Sequence, residues 1–167
     1  MKNILFLVMS FSIASIANIF LMPFYVPSDS MMPALYVNDR VFVDRFVYHF
    51  TLPQRGQIVV FKPPSDKRIK THDPFIKRII AIPGDTIEIK GGQVILNGQP
   101  QQNLAVSQSP SYQMPIIRIP ENYYFLLGDN RNHSFDSHLW GLLPRKNIKG
   151  KVIARFWPPE RISLSPL

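Results

Sequence analysis

Cysteine is absent from all 167 residues, which excludes disulfides, thiolate metal sites and a cysteine nucleophile. Acidic residues are scarce, 11 against 19 lysines and arginines, so the formal net charge is +8. Nucleic-acid binding is one reading of such a balance. Here the basic residues are spread over 67–70, 77–78, 145–151 and 155. No helix-turn-helix, zinc-finger or RNP-like pattern accompanies them, so no nucleic-acid partner is expected. A basic domain held beside anionic lipid headgroups accounts for the charge. Neither GxGxxG nor a P-loop can be read, which removes the common phosphate-binding loops. HExxH is missing, and His133 and His138 are not at the i, i+4 spacing of a helical zinc pair. His49 and His72 are isolated in sequence, and all four histidines read as surface residues. No metal or cofactor is expected. No ten-residue helical pattern appears after residue 26, and no repeat of solenoid length is present.

Proline is abundant, 16 residues, and breaks helices in favour of strands, turns and loops. Short β-branched or aromatic runs occur at 41–48, 57–62, 75–82, 86–90, 93–96, 116–119, 123–127 and 151–157. Turn-forming residues separate them. Asn97-Gly98 is a hairpin signal, because a type I′ turn needs positive φ at both centres. Residues 63–74 and 100–115 read as long loops. The expected fold is all-β: an antiparallel β-sheet domain over 26–167, with a small β insertion at about 90–120.

The first 25 residues differ from the rest. From Asn3 to Ser28 there is no charge. Ile4 to Tyr25 would span about 33 Å as a helix, which matches a bilayer. A removable signal peptide is the competing reading, with Lys2 as its positive end and Ser15-Ile16-Ala17 as a cleavage site. Apolar character continues past Ala17 through Ile19, Phe20, Leu21 and Met22. That favours a retained transmembrane anchor at 1–25. Lysine and arginine placement leans to a cytoplasmic N-terminus.

Three polar stretches stand out. Pro27-Ser28-Asp29-Ser30 follows the apolar segment, with Pro33 stiffening its far side. Serines there can simply cap a short helix starting near Met31. A cap also places a hydroxyl near backbone N–H groups, which an oxyanion hole needs. Lys77 lies on a strand pattern with Phe75, Ile79 and Ala81 on its face. Held against such a face, an ammonium loses hydration and its pKa falls, so it can become a base. Alternatively it snorkels to the surface. Pattern does not separate Lys77 from Arg78, but an arginine stays protonated. The third stretch, 128–137, is a polar loop between two apolar runs and reads equally well as a plain turn.

In order and spacing, PSDSMMPAL at 27–35, KRIIAIPGD at 77–85 and GDNRNHSFDS at 128–137 resemble the bacterial-type type I signal peptidases. The resemblance runs from about residue 20 to 157. RGQIVVF at 55–61 matches a further family stretch, with Gln57 in place of the usual aspartate. The resemblance implies a membrane-anchored serine endopeptidase with Ser30 as nucleophile and Lys77 as general base. It implies an oxyanion hole from the Ser30 N–H and the Ser28 hydroxyl, and a Ser134 hydroxyl that orients Lys77. Asp129 and Asp136 would be structural, one of them pairing with Arg78. The family usually has threonine at Ala34, aspartate–asparagine at Asn132-His133 and arginine at His138. That last change puts an internal ion pair in question. A histidine-based triad through His133 stays open as an alternative mechanism.

The implied substrates are the signal peptides of exported preproteins, cut on the outer face of the plasma membrane, near the export machinery. Placement agrees: Ser30 follows the anchor by about five residues, hence within about 17 Å of the lipid. The cleavage segment would bind extended against a sheet edge. Two other readings remain. One is a maturation peptidase of the same type with a narrow client. The other is a non-catalytic, membrane-tethered β domain.

Overall fold

The computed structural model describes residues 21–69, 71, 73–101, 106 and 108–164. Ten strand pairings are antiparallel, in two sheets. The strands are β1 (Leu21–Tyr25), β2 (Arg40–Asp44), β3 (Ile58–Phe61), β4 (Phe75–Ala81), β5 (Thr86–Lys90) and β6 (Gln93–Leu96). They continue with β7 (Gln99–Pro100), β8 (Met114–Arg118), β9 (Tyr123–Leu127), β10 (Leu143–Pro144), β11 (Ile148–Trp157) and β12 (Ser163–Leu164). The larger sheet runs β1-β2-β11-β3-β4-β9-β10, with β12 added to β11, and the smaller runs β7-β6-β5-β8.

The runs of β-branched residues became strands because each has an apolar cluster to fill. β3, with all four residues buried, is covered on both faces. Val60 packs with Val41, Val43 and Ile76 on one side, while Val59 and Phe61 join Ile79, Tyr124 and Leu126 on the other. A third cluster, including Ile87, Ile89 and Phe125, joins the small sheet to β9. At about 1.5–3 kcal/mol per fully buried large apolar side chain, these clusters are the main favourable term in folding.

β1 corrects the sequence expectation at one point. Leu21 to Tyr25 form an edge strand on β2, with Leu21 opposite Asp44 and Tyr25 opposite Arg40. A helix running through Tyr25 is therefore not formed. The backbone groups of 21–25 that face β2 are spent on the sheet. The anchor expected over 1–20 lies outside the described residues. Among the described residues, no helix is long and apolar enough to cross a membrane.

Two local devices set strand ends. Asp44 accepts the N–H groups of Phe46 (2.8 Å) and Val47 (3.0 Å), ending β2 early and starting the helical turn Val47–Phe50. Asn97 and Gly98 both take positive φ (52° and 78°), as a type I′ hairpin requires.

Candidate active site

Ser30 sits in the turn that follows β1. The Met32 N–H donates to the Asp29 carbonyl (3.0 Å) and the Leu35 N–H to the Met31 carbonyl (2.9 Å), while Met31 and Leu35 are fully buried in the first cluster. The turn is thus pinned from beneath. No helix forms at Met31 and the Ser28 and Ser30 hydroxyls bond side chains rather than backbone N–H groups, so the serines do not act as helix caps here.

Lys77 arrives from β4, opposite Val59 of β3. Its Nζ lies 2.6 Å from the Ser30 Oγ, and both residues are only 5% exposed. The Ser28 Oγ stands 3.2 Å from the Ser30 Oγ. Burial, with the Phe75 ring centroid 5.9 Å from Nζ, strips the ammonium of water and lowers the Lys77 pKa from 10.5 to about 8. Asp136, Asp129 and Asp29 oppose this by favouring the charged form, and burial outweighs them. A lysine with that pKa is a competent base at mildly alkaline pH, which an ordinary lysine is not.

The 128–137 loop closes the site from the other side. The Asn130 N–H donates to the Ser30 carbonyl (3.1 Å), and the Asn130 Nδ2 to the Asp29 carbonyl (3.3 Å). Gly128 passes so close to Ser30 and Ser134 that a Cβ there would collide with the Ser30 carbonyl oxygen and the Ser134 hydroxyl. Asp129 is fully buried and receives a fork from Arg78, Nε at 2.8 Å and Nη2 at 2.7 Å. The third Arg78 contact is to the Gly56 carbonyl (2.7 Å). Burial pushes the Asp129 carboxyl up, and the Arg78 fork pulls the other way. Asp136 accepts the Gly128 N–H (2.9 Å) and caps the helical turn Ser137–Trp140.

The residues named from sequence thus fall into two groups. Ser28 and Lys77 are each hydrogen-bonded to Ser30. Asp129, Asp136 and Arg78 hold the loop that presses on them, with Asp129 as the partner of Arg78. Ser134 differs from expectation: its hydroxyl is buried and bonds no atom of the described residues, Lys77 included. His138 also differs. It is held by Asp136 through Nδ1 (2.7 Å) and stacks on Tyr112, with ring centroids 3.8 Å apart. A histidine–aspartate contact thus stands where an arginine–aspartate ion pair was in question. Gln57 accepts from the Tyr48 hydroxyl (2.8 Å) and the Gln54 N–H (3.0 Å), so a neutral amide serves at that position.

A cleft of about 330 Å³ opens over Ser30 and Lys77, walled by Pro74, Phe75, Ile76, His133 and Phe135. His133 faces this cleft but forms no bond to Ser30, whose hydroxyl is held by Lys77 and Ser28. That geometry gives no histidine triad. Sequence reasoning missed Gly128 and Asn130 as contacts of the Ser30 turn, and Phe75, Ile76 and Phe135 as cleft walls. It also missed Asp39, fully buried, which bonds Arg161 and lies 3.5 Å from Arg155. Arg155 in turn donates to the Ala34 carbonyl (2.8 Å), tying the end of the Ser30 turn to β11.

A buried serine–lysine pair beside a second serine and an open cleft is the arrangement of a serine hydrolase that works without histidine. Comparison with known proteins gives the family. The profile of the signal peptidases, peptidase S26, matches residues 1–157. The chain is 46% identical to signal peptidase I of Leptolyngbya laminosa over 141 residues, 83% of this chain and 70% of that one. It is 43% identical to a probable signal peptidase I of Synechocystis over 164 residues, 96% of this chain and 84% of that one. The crystal structure of a signal peptidase I from Enterococcus faecalis aligns with a TM-score of 0.50 at 25% identity, covering 60% of this chain and 97% of that one. The chain belongs to the signal peptidase family and is a serine peptidase of the signal peptidase I type.

Proposed function

We propose that the chain removes N-terminal signal peptides from exported preproteins, with Ser30 as nucleophile and neutral Lys77 as its base. The observation that carries the assignment is the 2.6 Å contact between Lys77 Nζ and Ser30 Oγ, both buried. Lys77 takes the Ser30 hydroxyl proton as Ser30 Oγ attacks the scissile carbonyl. The ammonium then returns a proton to the leaving amine as the peptide C–N bond breaks, leaving an acyl-enzyme. Water, deprotonated by Lys77, hydrolyses that ester and frees Ser30.

The Ser30 N–H donates to no acceptor among the described residues. With the Ser28 hydroxyl it forms the oxyanion hole. Ser134 is a positioning residue: its unpartnered hydroxyl offers an acceptor once Lys77 carries the extra proton. The substrate lies extended in the cleft along Phe75 and Ile76, adding a strand.

An apolar anchor ending before β1 holds the enzyme on the membrane, N-terminus inside and catalytic domain on the outer face. Tyr25 and Trp157, exposed by 51 and 47%, both register with Arg40 at one end of β2, and Ile162 and Leu164, exposed by 63 and 86%, lie in and beside β12, which pairs with β11. That apolar rim suits an interface with lipid, where translocated signal peptides present their cleavage sites.

A pH–rate profile tests the base. The account predicts that kcat/KM rises along one ionisation near pH 8. A profile set instead by a group near the ordinary histidine pKa, and lost in His133→Ala but kept in Lys77→Ala, would overturn the assignment.

A further inference from the structure

A roomier cavity lies away from the catalytic cleft and takes no part in the chemistry above. It is about 870 Å³ and open, between the loop after β2 and the segment joining β10 to β11. Its walls carry Arg45, His49, Arg145, Lys146 and Lys149, and no carboxylate. None of Arg45, Arg145, Lys146 and Lys149 forms a salt bridge among the described residues. Of the nearby acids, Asp44 accepts the N–H groups of Phe46 and Val47, and Glu121 shares with Arg145 an adjoining hollow of about 270 Å³ without forming a salt bridge to it. Four permanent positive charges and a histidine around one open cavity repel one another, so an anion that enters relieves the repulsion.

Two features say where that anion is. Leu21 pairs with Asp44, so the chain arriving from residues 1–20 enters the domain one strand away from Arg45, the first residue of the cavity wall. The loop that forms this wall also carries Phe50, 84% exposed, and Leu52, 61% exposed. Large apolar side chains held outward beside cationic ones are the arrangement of a surface that enters a lipid interface while its charges meet headgroups.

We propose that this cavity docks the headgroup of an anionic phospholipid in the bilayer holding the N-terminal segment, with Phe50 and Leu52 entering the interfacial layer beside it. The inference rests on the membrane attachment in the proposed function and adds the lipid class and the residues that select it. It gives the domain a foothold on the bilayer at the Leu21–Asp44 end of β1 and β2, opposite the Tyr25–Trp157 rim, and contact at both ends limits its tilt.

The test uses the full-length protein carrying Phe50→Trp, reconstituted into phosphatidylcholine bilayers containing a minority of phosphatidylglycerol. Bromine is placed on the tails of one lipid or the other at matched amounts, and fluorescence is compared with protein lacking the substitution. The expected result is that the added indole is quenched several-fold more by brominated phosphatidylglycerol than by brominated phosphatidylcholine. Lys146→Gln with Lys149→Gln, both exposed side chains, should remove that preference. Equal quenching by the two lipids, no quenching, or a preference untouched by the double substitution overturns the proposal. Inorganic phosphate that abolishes the preference at matched ionic strength would assign the cavity to a free anion instead. Preprotein cleavage is followed in the same samples. A protein that cleaves but shows no lipid preference defeats this inference alone, and the reverse defeats the protease assignment alone.

Discussion

Under the proposed function, Lys77 is where stability is given up for chemistry. Its pKa falls from 10.5 to about 8 because burial disfavours the ammonium, which corresponds to on the order of 3 kcal/mol. The sign follows from linkage: between about pH 8 and 10.5 the unfolded chain holds this proton and the folded one does not. Stability from this group therefore rises with pH across that window, and below it the fold carries the full penalty. Lys77→Met should be inactive yet more stable than wild type near pH 7 in chemical denaturation, with the gap closing above pH 10.5. A destabilised Lys77→Met protein at neutral pH would show that the buried ammonium is better satisfied than this account holds. Gly128→Ala makes a second residue-scale case. A Cβ there meets the Ser30 carbonyl and Ser134, so the turn must move, and a displacement near 1 Å costs about 100-fold in kcat. Kinetics unchanged by that substitution would mean that the Ser30 turn gives way without harm. Ser134→Ala should lower kcat with little change in KM under the proposed role, in which the hydroxyl acts only after Lys77 is protonated.

Among the elements, β4 and the 128–137 loop matter most, because β4 carries Lys77 and the loop presses on the turn that carries Ser30. Arg78 on β4 and Asp129 in the loop are joined by a buried two-point ion pair. Removing one partner strands a buried charge, so Arg78→Ala should lower stability by about 3–5 kcal/mol and take activity with it. Thermal unfolding measures this directly, and a loss below about 1 kcal/mol would mean the pair is surface-like. The elements were unequally legible in sequence. β5, β6 and β9 were read with their exact limits, because alternation or aromatic content and bounding turns agree. β2 was read too long, since the Asp44 side chain ends it by a bond that no periodicity reports. β1 was hidden inside an apolar run that also fits a membrane helix. The two-residue strands β7, β10 and β12 exist only through their partners. Gly91 and Gly92 turn β5 into β6 with positive φ at both (57° and 74°).

At the scale of the molecule, the order of strands brings distant motifs together. Ser30 and Lys77 are 47 positions apart, and Arg78 and Asp129 are 51 apart. Pattern alone left Lys77 and Arg78 interchangeable and offered a snorkelling lysine as the simpler reading. The chemistry of the side chains and the family resemblance picked out the pair. What sequence could not give was the depth of burial and the Asn130, Gly128 and Asp39 contacts, all of which depend on which loops meet. The proposed function rests on one serine brought against one neutral lysine. Its most direct test is cleavage of a signal-peptide preprotein by reconstituted wild type, Ser30→Ala and Lys77→Ala in parallel, each checked for folding by thermal unfolding. The account predicts cutting at the signal junction by the wild type alone, with both variants folded. Cutting by either folded variant at the wild-type rate would contradict it.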